Sequence, residues 1–119
     1  MRTTDAVLDS VLEKLKDDGH QSDERYTEAF VRSRVNRGDG PVKIRHALAQ
    51  NGILPDTIDR YLDQGENFWC ALLTEVRDRK FGGRAPSDYS EWARQARFLQ
   101  SRGFTSEQIR NSVAIQESE

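Results

Sequence analysis

Leu8, Val11, Leu12 and Leu15 recur at the i, i+3, i+4, i+7 spacing that lines one face of an α-helix, and the same period returns along almost the whole chain. A first helix is predicted over 5–18, with Gly19 as its C-cap. Ser22, Asp23 and Glu24 offer a cap and acids for a second, in which Tyr26, Ala29, Phe30 and Ser33 share one side while Val31 and Val35 lie nearly opposite. A helix apolar on two sides packs between neighbours. Gly38 ends it. Pro41 opens a third helix with Ile44, Ala47 and Leu48 on its core stripe, and Gly52 closes it. Pro55 opens a fourth, with Ile58, Tyr61 and Leu62 facing in. A fifth carries Phe68, Trp69, Leu72, Leu73 and Val76, and a sixth places Tyr89, Trp92, Ala96 and Leu99 on its core side before Gly103. The seventh starts on Thr105-x-x-Gln108, a capping-box pattern, and carries Ile109 and Val113. No segment alternates with the period of a strand.

The pattern repeats. Shifted by 51 positions, "LAQNGILPDTIDRYL" (48–62) lies over "LQSRGFTSEQIRNSV" (99–113). Leu48 meets Leu99, Gly52 meets Gly103, Ile53 meets Phe104, Ile58 meets Ile109 and Leu62 meets Val113. The fold class expected is all-α, as tandem three-helix repeats in an elongated, curved, monomeric array: residues 1–20 as the last helix of an incomplete first repeat, 21–65 as a complete repeat and 66–119 as the next. "FGGRAPSD" (81–88) suits a flexible connection inside the last unit. Residues 5–18 are expected to pack on the following unit through Leu8, Leu12 and Leu15.

Charge adds a second layer. The net formal charge is -2, but residues 29–46 hold five cations against one acid, residues 77–110 eight against four, and the first 24 residues three against seven. Alternating blocks of this kind suit a surface facing a polyanion or an acidic partner. Arg32, Arg34, Arg37, Lys43 and Arg45 are expected to form one face across the Gly38–Pro41 turn, with Arg94 and Arg97 one repeat further on. Arg34 and Arg37 also suit the C-terminal end of a helix dipole.

Candidate chemistry is sparse. Gly38-Asp39-Gly40 follows a helix rather than a strand and lacks the spacing of a phosphate-cradling loop, so it reads as a turn. His20 and His46 have no metal-ligand spacing around them. Cys70, beside Trp69, reads as a buried small hydrophobe; as the only cysteine it forms no internal disulfide, which fits a reducing, cytoplasmic setting. Asp17, Asp18, Asp23 and Glu24 read as helix-end charges. Neither a signal peptide nor a membrane span is expected, nor any cofactor, metal or catalytic activity.

Asp23, Arg25, Tyr26, Phe30, Arg34, Gly40, Pro41, Ile44, Gly52 and Ile53, together with "RKFGG" and "RQARFLQSRGFTSEQIRNSV", resemble the signature of the bacterial RecX family. The resemblance covers nearly the whole chain and implies tandem three-helix repeats without most of the usual first one. It also implies a regulator of recombination, DNA repair and the SOS response. Such a regulator binds the RecA filament on single-stranded DNA, lies in its groove and inhibits its growth, ATPase and strand exchange. Arg25, Arg32, Arg34, Arg37, Lys43, Arg45, Arg94 and Arg97 are then the candidate contacts to filament or to single- or double-stranded DNA. Two other classes fit helical spacing: a helix-turn-helix-like DNA reader at 43–62 and an adaptor for another helical protein. Against the reader, its second helix would carry Asp56, Asp59 and Asp63 against Arg60 alone.

Overall fold

The computed structural model describes residues 20–115, and among them every regular element is a helix. These are α1 (His20–Asn36), α2 (Pro41–Gln50), α3 (Pro55–Leu62), α4 (Glu66–Phe81), α5 (Tyr89–Ser101) and α6 (Ser106–Ser112). The helix expected over 5–18 lies outside the described residues, as does Gly19. Asp23 is the expected acid in the first turn of α1, but Ser22, Asp23 and Glu24 do not precede the helix as a cap would. They lie within it, and Thr27 Oγ1 donates back to the Asp23 carbonyl at 2.7 Å, a bond of the helix interior.

The self-match becomes three-dimensional equivalence. Leu48 and Leu99 are both wholly buried, and Ile53, Phe104, Ile58, Ile109, Leu62 and Val113 are buried with them. Gly52 and Gly103 both have positive φ, at +82° and +99°. Each closes its helix with the paired bonds of a Schellman turn: Ile53 N–H reaches Leu48 O at 3.1 Å, and Phe104 N–H reaches Leu99 O at 3.2 Å. The apolar residue after each glycine is thereby folded back onto the last turn of the helix before it. At α6 the expected capping box forms, with Thr105 Oγ1 accepting from Gln108 N–H and Gln108 Oε1 from Thr105 N–H, both at 3.0 Å.

Two cores result, and α4 serves both. Trp69 belongs to the first core, with Tyr26, Phe30, Ile44 and Leu48, and its indole N–H donates to the Leu62 carbonyl at 3.1 Å. One turn on, Leu73 and Val76 belong to the second, with Leu99, Phe104 and Ile109, and Leu72 touches both. The repeats therefore share a continuous helix rather than dividing at a linker.

Three sequence expectations change. Tyr89 is not a core residue: it is the first residue of α5, directly after its cap Asp88, and is 70% exposed. Gln95 takes up the core side of α5 instead, 1% exposed. The 81–88 connection is anchored rather than loose, because Pro86 is fully buried and Gln95 Nε2 donates to the Arg84 carbonyl at 3.2 Å. Cys70 is only partly buried, because it flanks the α4 core stripe defined by Trp69, Leu73 and Val76.

A second link joins the repeats. Gly40 N–H donates to Arg102 O at 2.7 Å, and Val42 N–H to Gly103 O at 2.9 Å. These satisfy donors that a helix start otherwise leaves to water. The approach is backbone against backbone: a Cβ on Gly40 would lie 2.5 Å from the Gly103 carbonyl, and one on Gly103 would lie 2.5 Å from Lys43 Cβ. Asp39, 3% exposed, sits between Lys43 Nζ at 3.6 Å and Arg102 Nη2 at 3.7 Å. Arg102 Nη2 also donates to the Arg37 carbonyl. The Gly38-Asp39-Gly40 stretch is the turn its spacing predicted, and it is also the clasp between the two repeats.

Candidate functional site

The cations singled out from the sequence fall into different environments. Among the described residues, four of the eight meet an acid of this chain in ion pairs. Arg32 pairs with Glu28 at 3.8 Å, one turn back on α1, and Arg94 pairs with Glu91 at 2.8 Å on α5. Arg45 crosses from α2 to Asp59 on α3 at 2.7 Å. Lys43 turns toward the buried Asp39. Arg34 lies over the Phe30 ring, 4.6 Å from its centroid. Arg25 and Arg97 are exposed on α1 and α5. Exposed pairs of this sort add little to stability, but an incoming anion must compete with the resident carboxylate.

Arg37 is placed differently. It follows α1 and lines an open groove of about 280 Å³ at the junction of the repeats, together with Arg79, Lys80 and Arg102. Val76 and Phe98 form the groove's apolar floor. Lys80 Nζ lies 5.4 Å from the Phe98 centroid, Phe98 meets Phe81 edge-on at 5.5 Å, and Arg94 covers Phe81 at 5.0 Å. This alternation of rings and cations holds long side chains in place at the surface. Arg79, Lys80 and Arg102 were counted in the basic block of the sequence without being singled out. The clasp and the end of α4 bring them to Arg37 from 42 to 65 residues away, and no local spacing carries that signal.

The other side of the first repeat is more acidic. Glu24 on α1 accepts from Arg60 at 2.6 Å and from the Tyr61 hydroxyl at 2.7 Å, tying α1 to α3. The Arg60 bond, then the Tyr61 bond, holds the Glu24 carboxyl below the usual glutamate range and raises Arg60 and Tyr61 in return. Arg94 lowers Glu91 in the same way. Asp56, Asp59 and Asp63 are exposed on or just after α3, and Arg45 and Arg60 are both engaged by carboxylates. A helix with this surface is repelled by DNA phosphates, which counts against the helix-turn-helix reading.

Comparison with known proteins finds two three-helix domains in this chain. Residues 22–62 match the model described as RecX, second three-helix domain, and residues 70–112 match RecX, third three-helix domain. The chain belongs to the RecX family. It is 47% identical over 104 residues to "Regulatory protein RecX" of Halorhodospira halophila, covering 87% of this chain and 65% of that one. It is 43% identical over 105 residues to the protein of the same name from Pseudomonas entomophila, covering 88% and 68%. The RecX chain of Pseudomonas putida KT2440 is 38% identical over 106 residues. The chain thus spans about two thirds of the length of these RecX relatives. They carry the name of regulatory proteins. No helix among the described residues is long and apolar enough to cross a membrane.

Proposed function

We propose that this RecX chain regulates the RecA recombinase without catalysis of its own. It binds along the groove of the RecA–single-stranded DNA filament and holds back filament growth, ATP hydrolysis and strand exchange, and so restrains recombination and the SOS response. The observation that carries this reading is the inter-repeat groove. A polymer is gripped best by contacts held at fixed spacing, since a rigid array loses little entropy when a second contact forms. Here the Gly40–Gly103 clasp and the shared helix α4 fix two repeats against each other, with Arg37, Arg79, Lys80 and Arg102 at their junction. Family membership supports the partner.

In this reading Arg37 is the principal contact among the residues named from sequence. Arg25 and Arg97 add exposed charge on either side, and Arg32, Arg34, Lys43, Arg45 and Arg94 contribute once the filament displaces their present partners. The chain acts as a cytoplasmic monomer. Sedimentation with preformed RecA filaments on single-stranded DNA tests the reading: the chain is expected in the pellet at low salt and progressively in the supernatant as salt rises. A chain that stays in the supernatant at every salt concentration would refute it.

A further inference from the structure

Arg110 and Tyr89 remain outside this account, and together with Arg97 they line one groove. Tyr89 is exposed although it is a large ring, so the fold does not need it buried. One face of the ring stacks on Trp92, at 5.9 Å between centroids and 21° between planes. Trp92 is itself fixed, since its indole N–H donates to the Val113 carbonyl at 2.7 Å. The phenol ring is thus a platform held from beneath with its other face in solvent. Beside it runs an open groove of about 270 Å³ between α5 and α6, with Ala96 and Ile109 in its floor and Arg97 and Arg110 along it.

Both arginines are exposed and, like Arg25 and Arg84, meet no carboxylate among the described residues, whereas Arg32, Lys43, Arg45, Arg60, Arg79 and Arg94 each do. Nor is the groove a by-product of the repeat. At the positions 51 residues earlier, Gly38 stands for Tyr89, Pro41 for Trp92, His46 for Arg97 and Asp59 for Arg110. The first repeat has neither the ring nor the charge. Helix α5 has 13 residues where α2 has 10, and the added turn is what carries Tyr89.

We propose that this groove is a base-stacking site for single-stranded nucleic acid. An unstacked base lies on the free face of Tyr89, and Arg97 and Arg110 receive the flanking phosphates. Gln100 and Ser106, also on the groove, offer hydrogen bonds to the sugar or base edge. Stacking on an aromatic ring tolerates any base, because every base has a π face, so the site binds without sequence preference. Planar guanidinium groups suit phosphate oxygens. A duplex keeps its bases stacked on one another and offers nothing to Tyr89. The site therefore prefers single strands, and it does so without RecA.

The test is fluorescence anisotropy of labelled oligothymidylate titrated with the full chain, alongside Tyr89→Ala, Tyr89→Phe and an Arg97→Gln/Arg110→Gln double variant. Tyr89→Ala is expected to raise Kd roughly 5- to 100-fold, the loss of one aromatic stack, and Tyr89→Phe to stay within about twofold of the parent. The double variant is expected to bind more weakly and with a shallower salt dependence. Quenching of Trp92 fluorescence should accompany binding and vanish in Tyr89→Ala. Circular dichroism checks that each variant is folded. Oligonucleotide affinity unchanged by Tyr89→Ala would overturn the site, as would a parent chain that binds no oligonucleotide but needs Tyr89 to bind a protein partner. Inhibition of RecA by the same variants separates the two readings. Intact inhibition with an indifferent Tyr89 discards this site alone. Full oligonucleotide binding with no inhibition discards the filament reading alone.

Discussion

Gly103→Ala is expected to destabilise the protein by about 2–5 kcal/mol, and Gly52→Ala, its counterpart in the first repeat, by only about 1–2 kcal/mol. Both glycines have positive φ, so both substitutions carry the cost of a left-handed backbone on a residue with a Cβ. Only Gly103 is also pressed against a neighbour. Its Cβ would fall 2.5 Å from Lys43 Cβ and 2.8 Å from Lys43 N, whereas nothing lies within 4 Å of a Cβ on Gly52. The difference between the two losses measures the clasp. Gly40→Ala isolates it further. Gly40 has φ -84° and ψ 173°, a backbone any residue adopts, so its whole cost of about 1–3 kcal/mol comes from the collision with the Gly103 carbonyl. Denaturant unfolding followed by circular dichroism gives all three values. Equal losses at 52 and 103, with none at 40, would mean that the repeats are not clasped at this point.

The second large effect concerns the junction groove. An Arg37→Glu/Lys80→Glu double variant is expected to weaken association with the RecA filament at least about tenfold and to flatten its salt dependence, because two cations facing a polyanion become two repelling charges. Stability should stay within about 0.5 kcal/mol of the parent. Arg102 bonds the main-chain carbonyl of Arg37, which the substitution leaves in place, and Lys80 rests on the Phe98 ring without a buried partner. Lys43→Glu makes the contrast. It would set a second carboxylate beside the buried Asp39 and is expected to damage the fold itself, so a loss of binding there would say nothing of contact. Filament sedimentation across a salt series, paired with melting curves, reads both quantities. A double variant that sediments like the parent would remove the groove from the interface.

The helices and their pairing were legible because burial here follows period. Leu48, Ile58, Leu99 and Ile109 announce their faces by spacing alone, and Gly52 and Gly103 announce the turns that let the chain fold back. Positions at element ends were less legible. Tyr89 has the right spacing for the core stripe of α5 but sits at the first residue of that helix, beyond the reach of the second core, and Gln95 is buried in spite of its polarity. Charge pairing divides along the same line. Arg32 with Glu28 and Lys43 with Asp39 are four residues apart and readable from sequence. Arg45 with Asp59, Arg60 with Glu24 and Arg102 with Asp39 join different elements, so the cations that remain exposed could be identified only once the fold was known. The clasp had no sequence signal beyond two glycines, since hydrogen bonds between main chains are blind to side-chain identity.

The most direct measurement of the central claim is ATP hydrolysis by RecA on single-stranded DNA, titrated with this chain. The account predicts that the rate falls to a plateau as the chain saturates the filament, and that the Arg37→Glu/Lys80→Glu variant needs much higher concentrations to reach it. An unchanged rate at concentrations that saturate the filament would contradict it.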